Sequence, residues 1–88
     1  MNAERRKAIS EVISRISAIH DDIESIQADL QSIASEEEEA RENMAAQSGP
    51  NYEMSEEASE YMDECDGYLD DALSTLDEIF NTLENIVG

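Results

Sequence analysis

The sequence predicts an all-α fold: a long antiparallel helical hairpin of coiled-coil type that dimerises into a four-helix bundle. Three observations lead there. Apolar residues recur at alternating steps of three and four along two separate stretches, a Ser-Gly-Pro break divides the stretches, and no Gly or Pro interrupts the first before residue 49. A strand period of two fits neither stretch.

The first stretch runs Ile9, Val12, Ile16, Ile19, Ile23, Ile26, Leu30, Ile33, eight successive a and d positions of a heptad abcdefg with Ile9 at a. Ser, Ala, Gln and Glu fill the positions between, so helical geometry prevails over the β preference of Ile. The expected helix covers residues 3–46, about 65 Å at 1.5 Å per residue.

The break follows. In Gln47-Ser48-Gly49-Pro50-Asn51, Gly49 suits a C′ position, Pro50 cannot continue a helix, and Asn51 or Ser55 can cap the next one. A turn over residues 47–54 is expected, and so short a link makes its helices antiparallel neighbours. If the hairpin closes near Pro50, residue i faces roughly residue 101 − i; in the antiparallel hairpin Arg5, Arg6 and Lys7 are also expected to come near Asp77, Glu78 and Glu84.

The second stretch, a helix over residues 55–87, carries Ala58, Met62, Cys65, Leu69, Ala72, Leu76, Ile79, Leu83 and Ile86, with Met62 at a and Cys65 at d. Flanking it, Tyr61 and Tyr68 at g and Leu73, Phe80 and Val87 at e make the stripe wider than a two-stranded seam requires. These five residues are the expected self-association surface, because a lone hairpin would leave them wet and an isolated helix pair has little core. Ile at both a and d also disfavours a simple parallel dimer of helices.

Composition by itself points the other way. Leu, Ile, Val and Phe number 17 of 88 residues and the net charge is −18, which falls on the disordered side of the compositional boundary. The order of the residues, which composition ignores, decides for the helices. At this length the chain forms a single domain over residues 1–88 with a thin core.

Charge is distributed unevenly. Residues 36–66 hold twelve of the 23 acids against Arg41 alone, whereas residues 1–35 hold six acids against four bases. The remaining residues, 67–88, carry five acids, and no Lys or Arg occurs from residue 51 onward. In helix 2 the acids recur at b and c as Glu56-Glu57, Asp63-Glu64, Asp70-Asp71 and Asp77-Glu78, then Glu84, one outward stripe. Exposed helix faces ordinarily mix both signs, since opposite charges at i,i+4 contribute about 0.2–0.5 kcal/mol and like charges cost as much. A solvated face explains the polarity of the stripe but leaves the missing cations unexplained.

The candidate partner-binding residues are therefore the acidic head: Glu36, Glu37, Glu38, Glu39, Glu42, Glu53, Glu56, Glu57, Glu60, Asp63, Glu64 and Asp66. The expected partner is a basic protein, in particular a nucleic-acid-binding one, and direct contact with nucleic acid or membrane is not expected. Duplex DNA presents one charge per about 1.7 Å of axis. Two acids per heptad give one per about 5 Å of helix, so mimicry of nucleic acid needs both helices and a second copy. The small, acidic, helical character is similar, as a class, to virus- and plasmid-encoded inhibitors that occupy nucleic-acid-binding clefts. The alternative is a structural or adaptor coiled coil that meets a partner helix through the apolar stripe of helix 2.

Catalytic and metal chemistry find little support. Asp63 to Gly67 fails as a calcium loop, because Gly67 at the sixth position puts Met62 first and Leu73 twelfth. His20 is the sole histidine and Cys65 the sole cysteine, one beside the seam and one within it, so no cofactor, metal cluster, disulfide or enzymatic activity is expected. The basic Arg5-Arg6-Lys7 start lacks an apolar segment behind it, and the expectation is a soluble cytoplasmic protein.

Overall fold

The computed structural model describes residues 1–88 as two helices, α1 (Ala3–Glu42) and α2 (Pro50–Val87), folded into a rod 67 Å long and 15 Å in each cross-section. No helix is long and apolar enough to cross a membrane. Asn2 caps α1, its side-chain oxygen accepting from the Arg5 amide at 2.8 Å. Pro50 occupies the first turn of α2, where its missing N–H would be unbonded in any case.

The turn departs from expectation in three respects. α1 stops at Glu42 instead of residue 46, and α2 begins at Pro50 instead of residue 55. Gly49 is the residue before α2, not a C′ site of α1, with φ 100° and ψ 178°. That backbone region is essentially open to glycine alone, and an added Cβ would meet nothing within 4 Å, so the requirement is one of torsion and not of space. Neither Asn51 nor Ser55 caps α2; Ser55 is instead one of the two buried residues of the chain.

The early start of α2 shifts the register. His20 meets Asp77, Gln27 meets Asp70 and Gln31 meets Asp66, so residue i faces residue 97 − i, about one helical turn away from 101 − i. Arg5, Arg6 and Lys7 are not near Asp77 and Glu78, which stand opposite residues 20 and 19, about 20 Å along the axis. None of the three makes an ion pair.

The helices also face each other through a different stripe. On α1 the sheltered residues are Ile9, Ile13, Ile16, His20, Ile23, Gln27, Leu30, Ala34, Glu37 and Arg41, the a and e rows, with Met44 just beyond the helix. On α2 they are chiefly Tyr52, Ser55, Ser59, Met62, Asp66, Leu69, Leu73, Leu76, Phe80, Leu83 and Val87, again a and e. The d rows turn aside: Val12, Ile19, Ile26 and Ile33 are 41–54% exposed, and Ile79 and Ile86 each 41%.

On α2 the rotation keeps large apolar residues in the seam, because the e row of the stem, Leu73, Phe80 and Val87, is at least as bulky as the d row, Ala72, Ile79 and Ile86. On α1 the e row supplies Ile13, the most buried apolar residue at 7% exposure, and the polar His20, Gln27 and Arg41, each bonded to α2. Deleting the Ile13 side chain should therefore weaken the stem most: Ile13→Ala is expected to cost about 2 kcal/mol, the low end of the usual range because the thin core lets water in. Urea unfolding followed by circular dichroism checks it, and an unchanged midpoint would remove Ile13 from the core.

Candidate protein-docking surface

The head is organised around its single cation. Arg41 reaches across from the e row of α1, and its Nη1 donates to the Ser55 carbonyl and Oγ at 3.2 Å and to the Ser59 Oγ at 2.7 Å. The guanidinium thus neutralises no carboxylate by direct contact; hydroxyl and carbonyl dipoles hold it and pin the first turns of α2 to the last turn of α1. Gln47 closes the loop end, its amide donating to the Met44 carbonyl at 2.9 Å.

Around this anchor the twelve acids do not form one patch. Glu38, Asp63 and Asp66 border a cleft of about 380 Å³ whose floor includes Leu30, Ala34, Arg41 and Met62. Glu53, Glu56, Glu57, Glu60 and Glu64 surround Tyr61 on the outer side of α2. Glu36, Glu39 and Glu42 follow the outward side of α1, exposed, and line neither depression. Glu37 is half-buried at the seam and shares a groove with Ile33, Met54 and Ala58.

The field of the outer cluster registers on Tyr61. Its hydroxyl donates to the Glu57 carboxylate at 3.0 Å, and that bond, with the negative charges of Glu57, Glu64 and Glu60, raises the phenol above its ordinary pKa. Ionisation would forfeit the donor and place a phenolate among carboxylates.

Of the five apolar residues expected to mediate self-association, Tyr61 and Tyr68 stand exposed at 58% and 68%. Leu73, Phe80 and Val87 are half-buried on the seam side, and Phe80 lines a small cavity with Ile16, His20 and Leu76. Cys65, read as a seam thiol, is exposed.

Two features escaped sequence reasoning. The Arg41–Ser55–Ser59 knot carries no local signal, because it joins residues 14 and 18 apart through the turn. His20 bridges the helices, its Nδ1 2.8 Å from Glu24 and its Nε2 3.1 Å from Asp77, an arrangement in which only the protonated ring donates to both. The i,i+4 spacing of His20 and Glu24 was visible in the sequence; the Asp77 contact needed the register. His20, Asp21 and Glu24 bring ligand atoms within 4.8 Å of one another, the set closest to a metal-binding geometry, with one imidazole and two exposed carboxylates.

No family model matches the chain, and no curated protein or solved structure does either.

Two outcomes follow from this geometry. Glu57→Gln should lower the Tyr61 titration midpoint, read from phenolate absorbance with Tyr52 and Tyr68 changed to Phe; a midpoint that stays put would mean the carboxylates exert no field there. Arg41→Ala should speed amide hydrogen exchange over residues 50–60 by roughly tenfold or more while leaving residues 69–83 protected, since hydrogen bonds of a charged donor contribute about 1.5–3 kcal/mol.

Proposed function

We propose that this protein is a non-enzymatic acidic binding module, an inhibitor or nucleic-acid-mimicking decoy of mobile-element or phage type, acting in the cytoplasm. Its acidic head seats in the basic cleft of a nucleic-acid-handling protein. The observation that supports this reading is the absence of internal compensation. The salt bridges of the chain all belong to His20; no Lys or Arg pairs with any carboxylate, and Arg41, the cation of the head, is bonded to serines.

An anionic surface left bare in this way stores repulsion that a cationic partner relieves, and it speeds the encounter by long-range steering. A helical rod suits the task because it holds carboxylates at fixed intervals, with the b and c pairs of α2 returning every heptad, about 10.5 Å. Glu53, Glu56, Glu57, Glu60 and Glu64 gather around one depression of this display.

The test is capture from an extract of the source organism at low and high salt, followed by competition of the captured protein against labelled duplex DNA. Binding should fall by roughly tenfold or more between 50 and 300 mM salt. Replacing Glu56, Glu57, Glu60 and Glu64 by Gln should abolish it, and bound hairpin should displace DNA. Capture that ignores salt, or survives the Gln variant, overturns the reading.

A further inference from the structure

The a and e rows are engaged within the hairpin, which leaves both d rows without a partner, and they emerge on the same side. Ile33 of α1 and Ala58 of α2, both d residues, line one groove together with Met54. The bonds from His20, Gln27, Gln31 and Arg41 to α2 come from the e and b rows, on the opposite side of the seam. One side of the rod is thus laced with polar contacts, and the other is an apolar face. Val12, Ile19, Ile26 and Ile33 on α1 and Ile79 and Ile86 on α2 define it, each more than 40% exposed.

We propose that a second copy of the chain covers this face head to tail, giving an antiparallel four-helix bundle. In it the acidic head of each protomer lies beside the N-terminal Arg5-Arg6-Lys7 cluster of its partner. The inference rests on the apolar d face and stands without the proposed function, although Tyr61 and acids of the head border that face.

Area is the first argument. A face 67 Å long and 15 Å wide offers about 1,000 Å² per protomer, above the roughly 800 Å² per partner of a standard stable interface. The chain needs such cover, because Ile13 is its single buried apolar residue.

Self-complementarity is the second. A two-fold interface requires that when residue i meets residue j, j also meets i. The row Val12, Ile19, Ile26, Ile33 satisfies this in an antiparallel pairing, with Val12 on the partner's Ile33 and Ile19 on the partner's Ile26. The axis then passes between residues 22 and 23, which is also the midpoint of α1 (Ala3–Glu42), so the helices overlap along their whole length.

Charge selects the direction. Residues 36–66 carry twelve acids against one base in each copy, and a parallel arrangement would stack two such heads. Head to tail, the loops stand at opposite ends of a rod 67 Å long, and the near edges of the two heads, where Asp66 faces Gln31, are about 25 Å apart at 1.5 Å per residue, beyond the Debye length of about 8 Å at physiological salt. The same pairing sets residues 5–7 level with residues 38–40 of the partner, so three cations that find no ion pair in their own chain come near Glu36 and Glu39 of the g and c rows. Between the two α2 helices the g row holds Met54, Tyr61, Tyr68, Thr75 and Thr82, all uncharged.

Sedimentation equilibrium of the full chain at micromolar concentration should give twice the chain mass of 9.8 kDa, and Ile19→Asp with Ile26→Asp should return it to 9.8 kDa. A wild-type chain at 9.8 kDa overturns the proposal and leaves the face to a foreign partner helix. Direction is read by energy transfer between donor and acceptor dyes on Ser48→Cys in a Cys65→Ala background. Transfer should be low, with the loops 67 Å apart; efficient transfer, which requires loops within about two 15 Å widths, would show the heads together and overturn the arrangement. Changing Arg5, Arg6 and Lys7 to Glu should raise the dimer dissociation constant by about tenfold at low salt. No change there would refute the pairing of head with tail.

Discussion

Two helices laid side by side can bury only one stripe each, and the rest of this molecule follows from which stripe that is. With a rod 15 Å thick there is no second layer, so apolar residues outside the contact stay at the surface. The a and e rows make the contact, which joins the large aliphatic and aromatic residues of the α2 stem, Leu73, Phe80 and Val87, to Ile13 and Ile16. The polar members of the α1 e row, His20, Gln27 and Arg41, would be costly there if unbonded. Each instead finds a partner on α2, and no buried polar side-chain atom is left without one.

Electrostatics shapes the molecule from the other direction. A chain at −18 in which no Lys or Arg pairs with a carboxylate, and only the His20 ring contacts any, gains almost nothing from internal charge attraction. Hydrophobic burial along the seam must outweigh the repulsion, and it is weakest in the head, where Glu37, Ser55 and Ser59 occupy seam positions that hold Ile, Leu or Phe in the stem. The Arg41 knot sits at that place. It adds directional bonds where apolar contact is thin, and it puts the one available positive charge at the centre of the anionic region.

Much of this was legible in the sequence. The heptad pattern identified both helices, and Gly49-Pro50 located the break between them. The pattern could not choose between neighbouring stripes, because a two-residue-wide seam can be drawn through a/d or a/e when large residues occupy all three rows. Ile13, outside the a/d count, proved the most buried apolar side chain, and Val12 beside it proved exposed. The register was missed for a related reason: periodicity says nothing of where a helix starts, and Pro50 opened α2 five residues earlier than its placement in a turn implied. Among the candidate site residues, composition found the acidic head, but its division into a cleft, an outer cluster and an α1 edge depends on helix phase and could not be counted out beforehand.

The polar bonds across the seam have one more consequence. Aliphatic rows that repeat every seven residues look the same to one another after a slide of one heptad, about 10.5 Å, so greasy contact alone would allow the rods to shift lengthwise among several alignments of similar energy. The donors at 20, 27 and 41 themselves fall at heptad spacing, and Asp63, Asp70, Asp77 and Glu84 recur every seven residues on α2, so His20 and Gln27 would meet carboxylates after such a slide as well; only the observed alignment also gives Gln31 the Asp66 carboxylate and Arg41 both Ser55 and Ser59. Together the donors act as a vernier, converting a slippery ladder into a single setting and so fixing how the charges of one helix stand against those of the other.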